Sequence, residues 1–258
     1  MAFQFKSFAG LPLRHAMSQR ILDAPSQGDV GYARDTNPDH SAENRARFLA
    51  QAGIEAERLA LGRQVHGAAV ATVTAADSGR GQPPDFDAIP ATDGLLTACR
   101  AVAPAVVIAD CVPVLLYDPV QHALGVIHAG WRGTVADITG QAVAQMAAAF
   151  GSRPRDLLAG IGPSIGPCCY EVGPEVIAGW AASGVAGWRD ARVERSPRPH
   201  FDLWRANRLN LLRAGVLDSR IETAAICTKC VADHFFSHRA AVAGERPAGR
   251  MIMAAQLT

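Results

Sequence analysis

The chain has 258 residues, with 25 Lys+Arg against 24 Asp+Glu and a formal net charge of +1. That length suits one domain over residues 1–258 with a sizeable core, and so even a charge balance gives no general attraction to nucleic acid or to an anionic membrane surface. No apolar run approaches the roughly 18 residues that cross a bilayer, the start lacks a signal peptide's apolar core, and six cysteines are too few for a disulfide scaffold, so the expectation is a soluble, cytoplasmic protein with free thiols.

The first forty residues are loop-rich, with Pro25-Ser26-Gln27-Gly28-Asp29 reading as turn. From Asp39 the pattern turns helical, with Pro38 near its start and Gly53 just past its end. Phe48, Leu49 and Ala52 mark the buried face. Arg45 lies three, four and seven residues before them and shares that face, whereas Arg47 sits one turn after Glu43 on the exposed side. An inward arginine is costly unless it meets an anion or extends its head to solvent from the edge of the core.

Residues 61–66 and 70–74 fit strands broken by Gly67, and a Pro/Gly/Asp-rich surface loop occupies 78–94. Residues 105–109 are continuously apolar and read as a buried strand. It feeds a hairpin with strands at 112–117 and 123–127, turning through Asp118-Pro119-Val120-Gln121 as a type I turn. If Tyr117 faces His122, then Cys111 faces His128 with α-carbons about 4.5 to 5.5 Å apart, close enough to share a metal ion. A one-residue slip would undo this pairing.

Gly130 to Gly133 reads as a bend, and Thr134-Val135-Ala136-Asp137 resembles a capping box for a helix that runs to Phe150 and stops at Gly151. Residues 157–161 read as a strand and Pro174–Ala182 as a short helix, followed by an arginine-rich loop to Pro199. Asp202 can cap a helix through Leu212, with Gly215 as its stop. Strand candidates at 221–226, 234–237 and 251–255 return the C-terminus to a sheet. Helices and strands alternate irregularly, so mixed sheets covered by helices, an α+β arrangement, fit better than a doubly wound parallel sheet.

The strongest chemical constellation adds His66 to Cys111 and His128, each at the end of an apolar segment beside glycine or proline. Two imidazoles and a thiolate are the three-ligand set of a catalytic zinc with a fourth position open. A cysteine nucleophile with a histidine base uses the same residues, and each can instead be an ordinary core or edge residue. Gly162-Pro163-Ser164-Ile165-Gly166 matches G-x-S-x-G, but Pro167 and Cys168-Cys169 follow where that motif needs a helix, which favours a rigid loop. Cys168 and Cys169 read as buried thiols, because neighbours on an extended chain point apart. Cys227-Thr228-Lys229-Cys230 has C-x-x-C spacing, and His234 and His238 follow too closely for a zinc finger, so a structural or redox thiol pair is the reading there.

Five ordered words, RQVHG, ADCVPVLLYDP, GVIHAGWRGT, GIGPSIGPCCYEVG and CT followed by FFSHR, resemble the multicopper polyphenol oxidase (laccase-domain) family, assigned as purine nucleoside phosphorylases with adenosine deaminase activity. The resemblance runs from about His15 to the C-terminus. It implies one zinc held by His66, Cys111 and His128, and a four-layer α/β/β/α fold with mixed sheets, similar to cysteine hydrolases. It implies phosphorolysis of adenosine, inosine, guanosine and methylthioadenosine to base and ribose 1-phosphate, with adenosine deamination, by a monomer or weak homo-oligomer. The family's Glu-Asn-Arg word matches Glu43-Asn44-Arg45, which makes Arg45 an anion or substrate contact, and its Thr-Arg matches Gln19-Arg20. Departures lie before residue 40, where Ile21-Leu22-Asp23-Ala24-Pro25-Ser26 replaces a Gly-Gly-Val-Ser word. Multicopper oxidation fits the residues poorly. A three-copper cluster is held largely by H-x-H pairs, and this chain has none among its eight histidines. The rival from another class is a Cys-His amidohydrolase acting on a peptidoglycan precursor or similar amide.

Overall fold

A computed structural model describes residues 2–32, 37–82 and 87–258; part of the loop read at 78–94 lies outside them. The strands are β1 (Leu13–Met17), β2 (Leu59–Leu61), β3 (Val70–Thr72), β4 (Gly94–Thr97), β5 (Ala103–Ile108), β6 (Val112–Asp118), β7 (Ala123–Ala129), β8 (Leu158–Ile161), β9 (Arg192–Val193), β10 (His200–Phe201), β11 (Ile221–Thr223) and β12 (Met251–Leu257). The helices are α1 (Pro38–Ala52), α2 (Trp131–Val135), α3 (Ile138–Phe150), α4 (Pro174–Ala182), α5 (Leu203–Arg213) and α6 (His238–Val242). One mixed sheet has the order β1-β12-β5-β2 and a second the order β11-β8-β6-β7-β4-β3. Parallel pairs sit only at their edges, β2 with β5 in the first and β3 with β4 and β11 with β8 in the second.

The alternation of side chains along the strands builds the layers. On β12, Met251, Met253, Ala255 and Leu257 face inward between the sheets, meeting Leu115, Tyr117, Leu124 and Val126 of β6 and β7. Ile252 and Ala254 face the other way, onto Phe48 and Leu49 of α1. On the far side, Val112, Val114 and Leu116 of β6 pack with Ile138, Ala142 and Met146 of α3 and with the fully buried Trp180 of α4. The order is helix, sheet, sheet, helices, so both sheets are covered on both faces and their strands read as nearly unbroken apolar runs. Each large aliphatic side chain buried this way contributes about 1.5–3 kcal/mol.

Helix α1 forms where its signals place it. The Asn37 side chain accepts from the backbone N–H of Asp39 and His40, and Gly53 closes it in the left-handed conformation. The β6–β7 hairpin forms in a register two residues from the expected one. Pro113 faces His128 and Asp118 faces Ala123, because the Asp118 carboxylate accepts from the N–H of Val120 and Gln121 and His122 takes a left-handed φ of 52°. The turn therefore spans residues 119–122, and Asp118 stays in the ladder. An even shift keeps every side chain on its face, so Cys111 and His128 still point the same way, now diagonally, and the position opposite Cys111 goes to Gly130.

Four further expectations change. The bend at Gly130 to Gly133 is the short helix α2, and the cap of α3 is Asp137, whose carboxylate accepts from the Gly140 N–H. Thr134 is buried and accepts instead from the Asn207 side chain. Residues 234–237 are not a strand: they run from the end of a turn at 231–235, closed by bonds from the His234 and Phe235 N–H to the Val231 carbonyl, into the cap of α6 at Ser237, and the buried Phe235 and Phe236 fill the inter-sheet core. The arginine-rich loop contains β9, which pairs antiparallel with β10 just beyond Pro199.

Candidate active site

Cys111 precedes β6 and His128 lies near the end of β7, both on the inter-sheet face where the hairpin opens away from its turn. His66 arrives from the loop between β2 and β3 with a left-handed φ of 59°. The loop is held by one carboxylate: Asp93, almost fully buried, accepts the backbone N–H of Val65, His66 and Gly67 at 3.1, 3.0 and 2.9 Å. The same carboxylate takes the Nδ1–H of His128 at 2.8 Å. That bond fixes the imidazole tautomer and leaves Nε2 for a ligand. One ligand atom each from His66, Cys111 and His128 comes within 4.8 Å of the others, and the two imidazoles meet edge to face with centroids 4.9 Å apart.

Two glycines make room for this approach. A Cβ on Gly130 would stand 3.1 Å from the Cys111 sulfur and 3.2 Å from His66 Cδ2. A Cβ on Gly133 would stand 2.7 Å from the Gly67 carbonyl oxygen, because α2 begins hard against the His66 loop.

Burial alone would raise the Cys111 thiol, but the charge and polar contact of His128, and then of His66, bring it down to about 6. Burial likewise opposes charge on His128, and the neighbouring Cys111 and Asp93 outweigh it, lifting the imidazole to about 9. Burial works against the Asp93 carboxylate too, yet its bonds to His128, Val65 and Gly67 hold it below the usual carboxylate value. A thiolate beside imidazoles, backed by a buried carboxylate, is both a metal-ligand set and a cysteine–histidine–aspartate line.

The group lies at the wall of a cleft of about 640 Å³, a size in the usual range for small-molecule sites. Four arginines line it, Arg45, Arg132, Arg239 and Arg250, together with the aromatic rings of Tyr32, Trp131 and Tyr170. Arg45, predicted inward, is 6% exposed. Its Nε donates to the Val30 carbonyl at 2.8 Å, its guanidinium stacks on Tyr32 at 4.3 Å, and its Nη1 is buried with no hydrogen-bond partner among the described residues. Burial lowers its pKa to about 10, with Tyr32 and Asp29 opposing, so the charge persists at neutral pH. Arg20 does not line the cleft. Its guanidinium donates to Gln27 and to the Ala232 carbonyl and lies over Phe236, tying down the loop that leads to Val30.

Elsewhere, Ser164 of the G-x-S-x-G match is fully buried and accepts from the Trp204 indole N–H at 2.6 Å, the rigid loop that Pro167 suggests. Asp110, beside Cys111, accepts from Thr228 and Ser237 hydroxyls and the Arg239 N–H; it anchors residues 227–239. Cys168 and Cys169 are not buried and divergent as the sequence suggests. Their sulfurs meet those of Cys227 and Cys230 within 4.8 Å, while His234 and His238 take no part in that group.

Four positions of the candidate site escape the sequence reading. Asp93 sits at the end of a loop that reads as surface, and only its place just before a buried strand marks it. Arg132, Tyr170 and Arg239 stand inside the words GWRGT, CCYEVG and FFSHR, where their side-chain types alone could have drawn attention.

The family described as multi-copper polyphenol oxidoreductase laccase matches residues 15–258. A protein of Geobacillus stearothermophilus named purine nucleoside phosphorylase YlmD is 39% identical over 201 residues, 76% of this chain and 72% of that protein. One from Deinococcus radiodurans named purine nucleoside phosphorylase is 40% identical over 211 residues, 81% of this chain and 78% of that protein. The crystal structure of YlmD from Geobacillus stearothermophilus superimposes with a TM-score of 0.90 at 32% identity, covering 98% of this chain and 94% of that one.

Proposed function

Because the chain belongs to the multi-copper polyphenol oxidoreductase laccase family, we propose that it is a purine nucleoside phosphorylase, with adenosine deamination as a second activity. Its substrates in this reading are adenosine, inosine, guanosine and methylthioadenosine, which phosphate cleaves to free base and ribose 1-phosphate. The observation that carries the reading is a single cleft lined both by the buried, partly unpartnered guanidinium of Arg45 and by His66, Cys111 and His128. The names of the relatives support it.

A metal ion fits that group. Two imidazoles and a sulfur held toward its thiolate by its neighbours are a zinc donor set that would leave a fourth position open. Among the described residues the groups of three or more His, Cys, Asp or Glu donors are this one and the four cysteines, neither of which is the histidine-pair cluster of a multicopper oxidase. His66, Cys111 and His128 would hold zinc, which when bound supplies Lewis acidity at the wall of the cleft.

Phosphorolysis breaks the bond from C1′ to the purine, whose nitrogen keeps the electron pair, and forms a bond from a phosphate oxygen to C1′. Arg45 suits the phosphate, since its Nη1 has a donor to give and its Nε and ring stack hold it in place. Arg239 and Arg250 add positive charge to the lining of the same cleft. Tyr170 and Trp131 offer flat faces for a purine. The Asp93 carboxylate engages Nδ1 of His128, so Nε2 is the nitrogen turned to a ligand, and a metal ion binding there would displace its proton. Arg20 acts indirectly in this reading, by fixing the loop that gives Arg45 its Val30 acceptor.

The line from Cys111 through His128 to Asp93 favours one second reading, a cysteine amidohydrolase. Incubation of the protein with each nucleoside, with and without inorganic phosphate, followed by chromatography, separates the two. Free base formed only with phosphate is the expected result, with inosine from adenosine in either condition. Inert nucleosides together with amide cleavage that survives metal removal would establish the hydrolase instead.

A further inference from the structure

We propose that Cys168, Cys169, Cys227 and Cys230 bind a second zinc ion, a closed structural site behind the wall of the cleft. The proposal rests on sulfur geometry and local backbone, independently of the function proposed above.

The four sulfurs all lie within 4.8 Å of one another, and Cys230 is 3.4 Å from both Cys168 and Cys169. Four thiolates on one tetrahedral zinc, with Zn–S of about 2.3 Å, stand about 3.8 Å apart. A multinuclear iron–sulfur cluster spreads its cysteines over several irons and needs them farther apart. Crowded thiolates repel one another, and a shared divalent cation of soft character removes the repulsion.

The chain is shaped to bring these sulfurs together. Residues 167–169 form a turn in which the N–H of Cys169 and of Tyr170 both donate to the Gly166 carbonyl. The backbone there is not extended, so adjacent cysteines turn to the same side and can substitute for one C-x-x-C half of a four-cysteine site. The other half, the Cys227-Thr228-Lys229-Cys230 loop, is docked by paired bonds, from Ser164 N–H to the Ile226 carbonyl and from Thr228 N–H to the Ser164 carbonyl. The Gly166 N–H donates to the Cys227 sulfur at 3.3 Å, the kind of outer bond that stabilises a metal-bound thiolate. Cys168 and Cys230 are exposed, so an ion can reach the group from solvent.

The site would act on the cleft by position. Ile165 and Tyr170, on either side of the cysteine pair, line the cleft. Thr228, inside the C-x-x-C loop, donates to Asp110 at 2.6 Å, next to Cys111. An ion joining the two loops therefore ties the cleft wall at Ile165 and Tyr170 to the residue that precedes Cys111.

Metal analysis of the purified chain tests this, with Cys168→Ser/Cys230→Ser chosen because both positions are exposed. The expected zinc content is two per chain in the wild type, one in that variant and one in His66→Ala/Cys111→Ala. A cobalt-loaded His66→Ala/Cys111→Ala chain should show sulfur-to-cobalt charge-transfer absorption that Cys168→Ser/Cys230→Ser abolishes. If His66 and its partners bind no zinc, the wild type holds one ion and the exposed-cysteine variant none, so failure at the first site leaves this proposal standing. Equal zinc content in the wild type and Cys168→Ser/Cys230→Ser overturns it, as do iron in place of zinc and thiols blocked to alkylation until a reductant is added.

Discussion

Asp93 and His128 form a buried pair, with His128 Nδ1 donating to Asp93 Oδ1 at 2.8 Å, and the same carboxylate caps three consecutive N–H groups of the loop that carries His66. One side chain thus orients two of the three residues proposed to hold zinc. Outer-shell partners of this kind typically contribute about 10- to 100-fold to metal affinity. Asp93→Asn should lose zinc to a chelator at a correspondingly lower chelator concentration. Zinc retention equal to wild type would show that Asp93 serves only to close the loop.

Arg45 should govern phosphate rather than nucleoside. Removing a charge-assisted hydrogen bond costs about 1.5–3 kcal/mol, so Arg45→Met should raise KM for phosphate about 10- to 100-fold while KM for inosine changes little. Saturation curves for the two substrates separate the effects. An equal rise in both would point to collapse of the Tyr32 and Val30 contacts instead.

Gly130→Ala places a methyl group 3.1 Å from the Cys111 sulfur and 3.2 Å from His66 Cδ2. Its φ of −71° is ordinary for alanine, so the backbone carries no strain and the fold should persist. The variant is expected to melt near the wild-type temperature while losing most of its zinc and activity. Full activity would mean that the three residues proposed to hold zinc converge from another side.

His15 gives the fold a pH dependence away from the site. It is buried, with Nε2 accepting the Phe5 N–H at 2.9 Å and the ring stacked on Phe5. Burial holds its pKa below the ordinary value, with Glu222 opposing. The native state thus prefers the neutral ring and binds the proton less readily than the unfolded chain. The contribution is complete above the unfolded value of about 6.5 and is lost as pH falls through the lower native value. Melting temperature should drop between about pH 7 and 5, and less steeply in His15→Gln, which keeps an acceptor but does not titrate. Identical slopes would remove His15 from the acid response.

Local patterns expose much of this protein before its coordinates do. Arg45 is legible because a helical period sets it three and four residues before Phe48 and Leu49, and the structure buries all three. The shared face of Cys111 and His128 is legible because strand alternation survives an even register shift. The register itself is not, since it turns on Asp118 capping the loop with its side chain and His122 accepting a positive φ. Asp93 and the four-cysteine group depend on contacts between segments far apart in the chain, such as the bridge of Ser164 to Cys227, which no local spacing encodes. The edges of strands moved for a similar reason: β2 ends at Leu61, and beyond it the Gln64 side chain rather than backbone bonds the Val107 N–H and carbonyl of β5.

Formation of the bond between phosphate and C1′ is observed most directly by phosphorus NMR of the protein with inosine and inorganic phosphate. A growing ribose 1-phosphate resonance, matched by hypoxanthine release and absent with Cys111→Ala, is the expected result. Hypoxanthine without ribose 1-phosphate, or no turnover by the zinc-loaded wild type, would contradict phosphorolysis at this cleft.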